Sequence, residues 1–181
     1  MNKQSNRGRD HLSAYTDQEL AAKIAGLEEK YQRLEDIEQI KQLKARFFRF
    51  IDEKNWVGFG DLFTSDAELV SQGQDFSAMG GQGYGKMIGD LVAKAPTVHH
   101  GHMPEIEIID NNNAKGIWAM EDLLTFPDAE NAYPGHNGYG QYRESYKKEN
   151  GTWKISSTVL TRFRMDPLKN WDTNTDPVTG R

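Results

Sequence analysis

The feature that most constrains this chain is a change of period near residue 96. Beyond it, Thr97 to Ile109, Gly116 to Phe126, Gly138 to Lys148 and Thr152 to Met165 read as extended segments rich in aromatic and branched side chains. Asp110-Asn-Asn-Asn113 separates the first two and Glu149-Asn-Gly151 the last two. Both are hairpin chemistry, because Asn and Gly tolerate positive φ. Pro127 to Asn137 carries two prolines and reads as a longer loop at the rim. Helices first and then a long antiparallel meander imply an α+β fold, a strongly curved antiparallel sheet wrapped over N-terminal helices.

Upstream of residue 96 the period is mainly helical. Thr16-Asp17-Gln18-Glu19 has the spacing of a capping box, in which the Thr hydroxyl and the Glu carboxylate satisfy backbone N–H groups reciprocally. Leu20, Ile24, Leu27, Tyr31 and Leu34 follow as a narrow stripe, suited to docking on the chain's own domain or on a second subunit; packing across a subunit boundary is the expectation. From Leu34 to Ile51 the pattern thickens through Ile37, Ile40, Leu43, Phe47, Phe48 and Phe50. A helix this apolar covers a sheet or lines a cavity. Trp56 to Phe63 predicts a short helix, Ala67 to Ser71 a strand, Met79 to Gly85 a Gly-rich loop, and Tyr84 to Ala93 a further helix. The domain boundaries that follow are an arm and extra helix at 1–33, one domain at 34–165 and a tail at 166–181.

Composition narrows the chemistry. With no cysteine among 181 residues, disulfides, thiolate metal sites and cysteine nucleophiles are excluded. Asp and Glu number 27 against 22 Lys and Arg, which argues against a nucleic-acid binder, whose footprint would be a basic stripe. No apolar run approaches the roughly 20 residues that span a bilayer, and Met1-Asn-Lys-Gln-Ser5 lacks the apolar core of a signal peptide. A cytoplasmic protein with no membrane or nucleic-acid partner is expected.

Three of five histidines lie in His99-His100-Gly101-His102, inside an expected strand. Alternation puts His99 on one face and His100 with His102 on the other, unless a bulge near Pro104 intervenes. His100 and His102 with a carboxylate have the donor types of a zinc site, but neither a His-Glu-x-x-His pattern nor a thiolate supports one, and no metal is expected. Three carboxylates fall among apolar neighbours, where an ionised side chain is costly unless paired: Asp52 at the end of the apolar helix, and Glu121 and Asp122 in mid-strand. One of Glu121 and Asp122 faces the enclosed side. A helix carboxylate, a strand histidine and a strand carboxylate can converge there, and a carboxylate bonded to one imidazole nitrogen fixes the tautomer.

Arg46-Phe-Phe-Arg-Phe-Ile-Asp-Glu-Lys-Asn-Trp56, Leu62-Phe-Thr-Ser-Asp-Ala-Glu-Leu69, Val98-His-His-Gly-His-Met-Pro-Glu-Ile106, Tyr142-Arg-Glu-Ser-Tyr146 and Gly151-Thr-Trp-Lys-Ile155, ending in Leu160-Thr-Arg162, occur in order. Over residues 35–165 the chain resembles the SnoaL-like branch of the nuclear transport factor 2-like superfamily, whose members include scytalone dehydratase, hexachlorocyclohexane dehydrochlorinase, bile acid 7α-dehydratase, polyketide cyclases and steroid isomerase-like proteins. The resemblance implies a cone-shaped α+β barrel around a mostly apolar pocket, no metal or organic cofactor, and a homo-oligomer, dimer or trimer. It also implies that Asp52 and His99 form a catalytic dyad, with Asp122 as a third catalytic group. The family's phenolic Tyr on the first helix falls at Phe47, so a proton donor has to come from elsewhere, with Tyr84, Tyr139, Tyr142, Asp122 and Arg162 as candidates. Phe47, Phe48, Trp118 and Met120 are expected to shape the pocket, with Tyr139, Tyr142 and Arg162 also contacting substrate.

The activity implied is a cofactor-independent lyase or isomerase reaction on a hydrophobic, ring-containing small molecule. A polyketide-type cyclase or hydratase would use the same parts. A non-catalytic ligand-binding or dimerisation module, and the small subunit of a ring-hydroxylating dioxygenase, share the fold.

Overall fold

Asn150 and Gly151 both adopt positive φ, 50° and 78°, as a two-residue hairpin turn requires, and they join the two longest strands of the sheet. At the other hairpin, the Asp110 carboxylate caps the turn by accepting the backbone N–H groups of Asn112 and Asn113 at 2.8 and 2.9 Å. This computed structural model describes residues 15–92, 95–126 and 134–168. The arm before residue 15, residues 127–133 of the rim loop and the tail beyond residue 168 lie outside the described residues.

The chain divides into two compact units, residues 1–36 and 37–181, with the division inside helix α1 (Asp17–Asp52). In the first unit the capping box forms as expected: the Thr16 N–H donates to Glu19 Oε2 at 2.8 Å, and the Glu19 N–H to Thr16 Oγ1 at 3.3 Å. The stripe of Ile24, Leu27, Tyr31 and Leu34 remains more than half exposed in the single chain.

The second unit holds the rest of α1, then α2 (Trp56–Gly60), β1 (Phe63–Ser71), β2 (Gln74–Asp75), a single 3₁₀ turn (Ser77–Met79), α3 (Gly80–Val92), β3 (Thr97–Ile108), β4 (Asn113–Thr125), β5 (Gly135–Glu149) and β6 (Thr152–Pro167). The strands form one open sheet in the order β2-β1-β6-β5-β4-β3. All neighbours are antiparallel except β1 and β6, which run parallel, so the sheet is mixed rather than purely antiparallel. Ile40, Leu43, Phe47, Phe48 and Ile51 of α1 share one buried cluster with Trp118, Tyr142, Tyr146, Ile155 and Leu160 of the sheet. Burying each such side chain is worth about 1.5–3 kcal/mol.

The Gly-rich segment departs from expectation. It is mostly helix, not loop: Gly80 turns the chain at positive φ (61°), and the glycines spaced along the helix behind it serve close packing. A Cβ at Gly81 would meet the Gly60 carbonyl at 2.5 Å, one at Gly85 the Trp56 carbonyl at 2.9 Å, and one at Gly89 the Trp56 ring at 2.9 Å. Spaced four apart, they form a groove along α3 into which α2 fits. The helix expected over Trp56 to Phe63 stops at Gly60, and Phe63 already begins β1. β5 likewise starts at Gly135, inside the segment expected to be loop.

Candidate active site

The end of α1 sets the position of the first carboxylate. Asn55 N–H donates to the Phe50 carbonyl at 2.8 Å and Lys54 N–H to that of Ile51 at 3.1 Å, a Schellman closure with Lys54 in the left-handed region (φ 61°), where glycine is commoner. This closure holds Asp52 at the last turn, against the start of β3. Asp52 Oδ1 lies 2.6 Å from His99 Nδ1 and accepts the Thr97 hydroxyl at 2.9 Å, while Oδ2 accepts the His99 backbone N–H at 3.0 Å. Lys54 Nζ in turn donates to Thr97 Oγ1 at 2.9 Å. Burial pushes the Asp52 carboxyl up, but the hydrogen bonds from the His99 ring and backbone, and from Thr97, outweigh it and leave it below its ordinary value. An ionised Asp52 occupies His99 Nδ1 and leaves Nε2 as the ring nitrogen for acid–base work.

Phe48 stacks on the His99 ring, with centroids 6.3 Å apart and planes 16° from parallel. Gly101 makes this possible, since a Cβ there would lie 2.5 Å from the Phe48 ring. The His99 side chain is 8% exposed and that of Asp52 27%, so the imidazole is largely enclosed while its carboxylate keeps an edge to water.

Directly across from His99 in the sheet stands Asp122, fully buried. Of the two mid-strand carboxylates it is therefore Asp122 that faces inward and Glu121 outward. Arg162 grips it from β6 with both terminal nitrogens, Nη1 donating to Oδ1 at 2.7 Å and Nη2 to Oδ2. β5 runs between them, and Gly138 leaves the gap that the pair fills: a Cβ there would lie 2.0 Å from Arg162 Nη1 and 2.2 Å from Asp122 Oδ1. His136 Nε2 is 3.8 Å from Asp122 Oδ1. Burial holds His136 below its ordinary value; the Asp122 carboxylate opposes this, and the charges of Arg162 and His99 add to it.

Two phenols complete the enclosure. Burial pushes Tyr84 of α3 up to about 12, against the pull of Arg162. Burial also drives Tyr142 of β5 well above its ordinary value, with Tyr84 and Asp122 adding to the effect. Both hydroxyls therefore stay protonated at neutral pH. Tyr142 packs edge-on against Phe47 at 5.5 Å.

A second polar group lies beneath. The fully buried Lys44 Nζ donates to Glu144 Oε1 at 2.6 Å and sits 3.6 Å over the Tyr142 ring. Glu144 also accepts from Thr158 at 3.0 Å and from Tyr146 at 2.6 Å, and Tyr146 accepts from Trp118 Nε1 at 2.8 Å. Burial lowers Lys44 to about 8, against the attraction of Glu144.

The structure places Asp52 with His99 at the start of β3, Asp122 across from His99 and paired with Arg162, and Tyr142 buried on the inner side of the sheet. Phe47, Phe48, Trp118 and Met120 are buried on the same side of the sheet. Tyr139 is the exception: three residues from Tyr142, it falls on the opposite face, in register with Glu121, with the Arg164 guanidinium 5.7 Å from its ring centre. Sequence reasoning did not single out His136, Thr97, Lys54, Lys44 or Glu144. Alternation along His136, Gly138, Gly140, Tyr142, Glu144 and Tyr146 carries the signal for two of them, since every second residue is buried.

Residues 32–159 match the sequence profile of the SnoaL-like domain. Among solved structures, the chain is similar to a protein assigned as a scytalone dehydratase from Novosphingobium aromaticivorans DSM 12444, at TM-score 0.68 and 17% identity over 78% of this chain and 93% of that one. It is similar to the type 3 hexachlorocyclohexane dehydrochlorinase of Novosphingobium barchaimii LL02, at TM-score 0.68 and 18% identity over 78% and 96%. A protein from Novosphingobium aromaticivorans assigned as an aromatic ring hydroxylase also aligns, at TM-score 0.62 and 16% identity over 75% and 94%. Identities this low establish a shared fold and leave the reaction to be argued from the site. With most of its length matched by the profile and the cone-type α+β architecture in place, the chain belongs to the SnoaL-like family of the nuclear transport factor 2-like superfamily.

Proposed function

We propose that this protein is a cofactor-independent lyase or isomerase that abstracts a proton from a hydrophobic, ring-containing small molecule. The observation that carries the reading is the bond of Asp52 Oδ1 to His99 Nδ1 in a largely enclosed setting. His99 Nε2 takes a proton from a carbon next to a carbonyl or one carbon away from a leaving group. The released electron pair forms a carbon–carbon double bond, and the bond to the leaving oxygen breaks. Asp52 stabilises the imidazolium that results. The Asp122–Arg162 pair polarises the substrate oxygen, and Tyr84 or Tyr142 supplies the proton with which hydroxide departs as water. Return of the proton to a different carbon gives isomerisation with the same groups.

Phe48 forms the apolar wall beside His99, with Phe47, Trp118 and Met120 behind it. That lining favours a flat or multi-ring substrate. The relatives assigned as a scytalone dehydratase and a hexachlorocyclohexane dehydrochlorinase are consistent with elimination. The reading is tested by offering β-hydroxy ketones built on two or more fused rings and following enone formation. Turnover is expected to fall about 10²–10⁴-fold in His99→Ala. Undiminished turnover in that variant would remove His99 from the mechanism.

A further inference from the structure

The outer face of the sheet, away from Asp52 and Asp122, carries a second cluster. His100 and His102 alternate with His99 and Gly101, so both project outward, and the register shift in β3 comes only after His102. The bulge therefore leaves His99 on the inner face. Glu121 is the β4 partner of His100 in the same register, and it too is outward. Its Oε1 lies 2.9 Å from His100 Nδ1 and 3.6 Å from His102 Nε2. One donor atom from each of the three residues lies within 4.8 Å of the others.

We infer that His100, His102 and Glu121 form a binding site for a divalent transition metal, with Zn²⁺ the ion that fits. Two imidazoles and one carboxylate are ordinary zinc ligands, bonded at about 2.0–2.2 Å. Tetrahedral geometry at that bond length sets donors about 3.3 Å apart, and the two measured separations, 2.9 and 3.6 Å, lie on either side of it. The side chains are half to one-third exposed, so small rotamer changes close the remaining gap without moving the strands. Two ligands two residues apart on one strand, and a third paired across from the first, give a site preorganised by the sheet itself. Three protein ligands leave a fourth position for water. Metal bound there ties β3 to β4 at the start of the bulge. It lies on the reverse of the strand that presents His99, so it takes no part in the proposed proton transfer.

The test uses the full chain, stripped with chelator and then titrated with ZnCl₂ by calorimetry and with CoCl₂ by visible absorption. One equivalent of Zn²⁺ is expected, together with the intense d–d bands of four-coordinate cobalt and a metal-dependent rise in unfolding temperature. His100→Ala/His102→Ala and, separately, Glu121→Gln are expected to weaken Zn²⁺ binding by at least about tenfold and to abolish the cobalt bands. Both variants change exposed side chains, and circular dichroism confirms that they remain folded. Absence of saturable binding, or binding that persists unchanged in the double variant, overturns the site and reduces the cluster to a surface hydrogen bond between His100 and Glu121.

Discussion

Asp52 takes three hydrogen-bond contacts on its two oxygens, two from His99 and one from Thr97, and these outweigh burial in setting its charge. A carboxyl held below its ordinary value contributes stability that is fully present above the unfolded value, about 3.9 for Asp, and is lost as pH falls through the folded value. Asp52→Asn is therefore expected to cost about 1–3 kcal/mol at neutral pH. The difference from the unsubstituted protein should shrink as pH drops below 4, measured by urea unfolding at pH 7, 5 and 3. A difference that stays constant across that range would mean that Asp52 is not ionised in the folded state. At this scale the sequence was informative about type and face. Asp52 and His99 stood out because polar residues interrupt apolar runs, and Asp122 because strand alternation forces one of two neighbouring carboxylates inward. The Arg162 grip was not legible as a contact. It depends on β6 lying two strands from β4, with a glycine on the strand between them.

The helices show how residue type taken alone can mislead about the kind of element. Gly81, Gly85 and Gly89 look like loop residues along the chain, but their spacing matches one face of a helix pressed against α2. Gly85→Ala is expected to force α2 and α3 apart and to destabilise the protein by about 1–3 kcal/mol. Gly83→Ala on the same helix, where a Cβ would meet the Met79 Cβ at 3.0 Å but no atom of α2, should cost less than Gly85→Ala. Equal losses in thermal unfolding for the two variants would contradict the packing role. The positions of β3 to β6 were legible to within a few residues because turn residues bracket them, whereas β2 and the start of β1 were not. The parallel pairing of β1 with β6 was not, since no local signal records which distant strand a short strand joins.

Across the whole molecule, the inner face of one sheet holds two polar centres of different kinds. Lys44 and Glu144 lie deepest and are satisfied internally by Thr158, Tyr146 and Trp118. Asp52, His99 and Arg162 keep some exposure, while Asp122 between them is fully buried. Removing one partner of the deep pair leaves an uncompensated buried charge, so Lys44→Met is expected to cost about 3–5 kcal/mol. Lys44→Met combined with Glu144→Gln removes both charges and should recover most of that loss. Strictly additive losses in chemical denaturation would show that the two groups do not depend on each other. The pair escaped sequence reasoning because Lys44 and Glu144 are 100 residues apart and each reads alone as a surface charge.

Proton abstraction by His99 is the central step of the proposed reaction. The most direct measurement is incorporation of solvent deuterium into a panel of fused-ring ketones and enones, followed by NMR for the unsubstituted protein, His99→Ala and Asp52→Asn. Exchange at the carbon next to the carbonyl is predicted in the unsubstituted protein, slower exchange in Asp52→Asn and none above background in His99→Ala. Exchange at equal rates in all three proteins would contradict it.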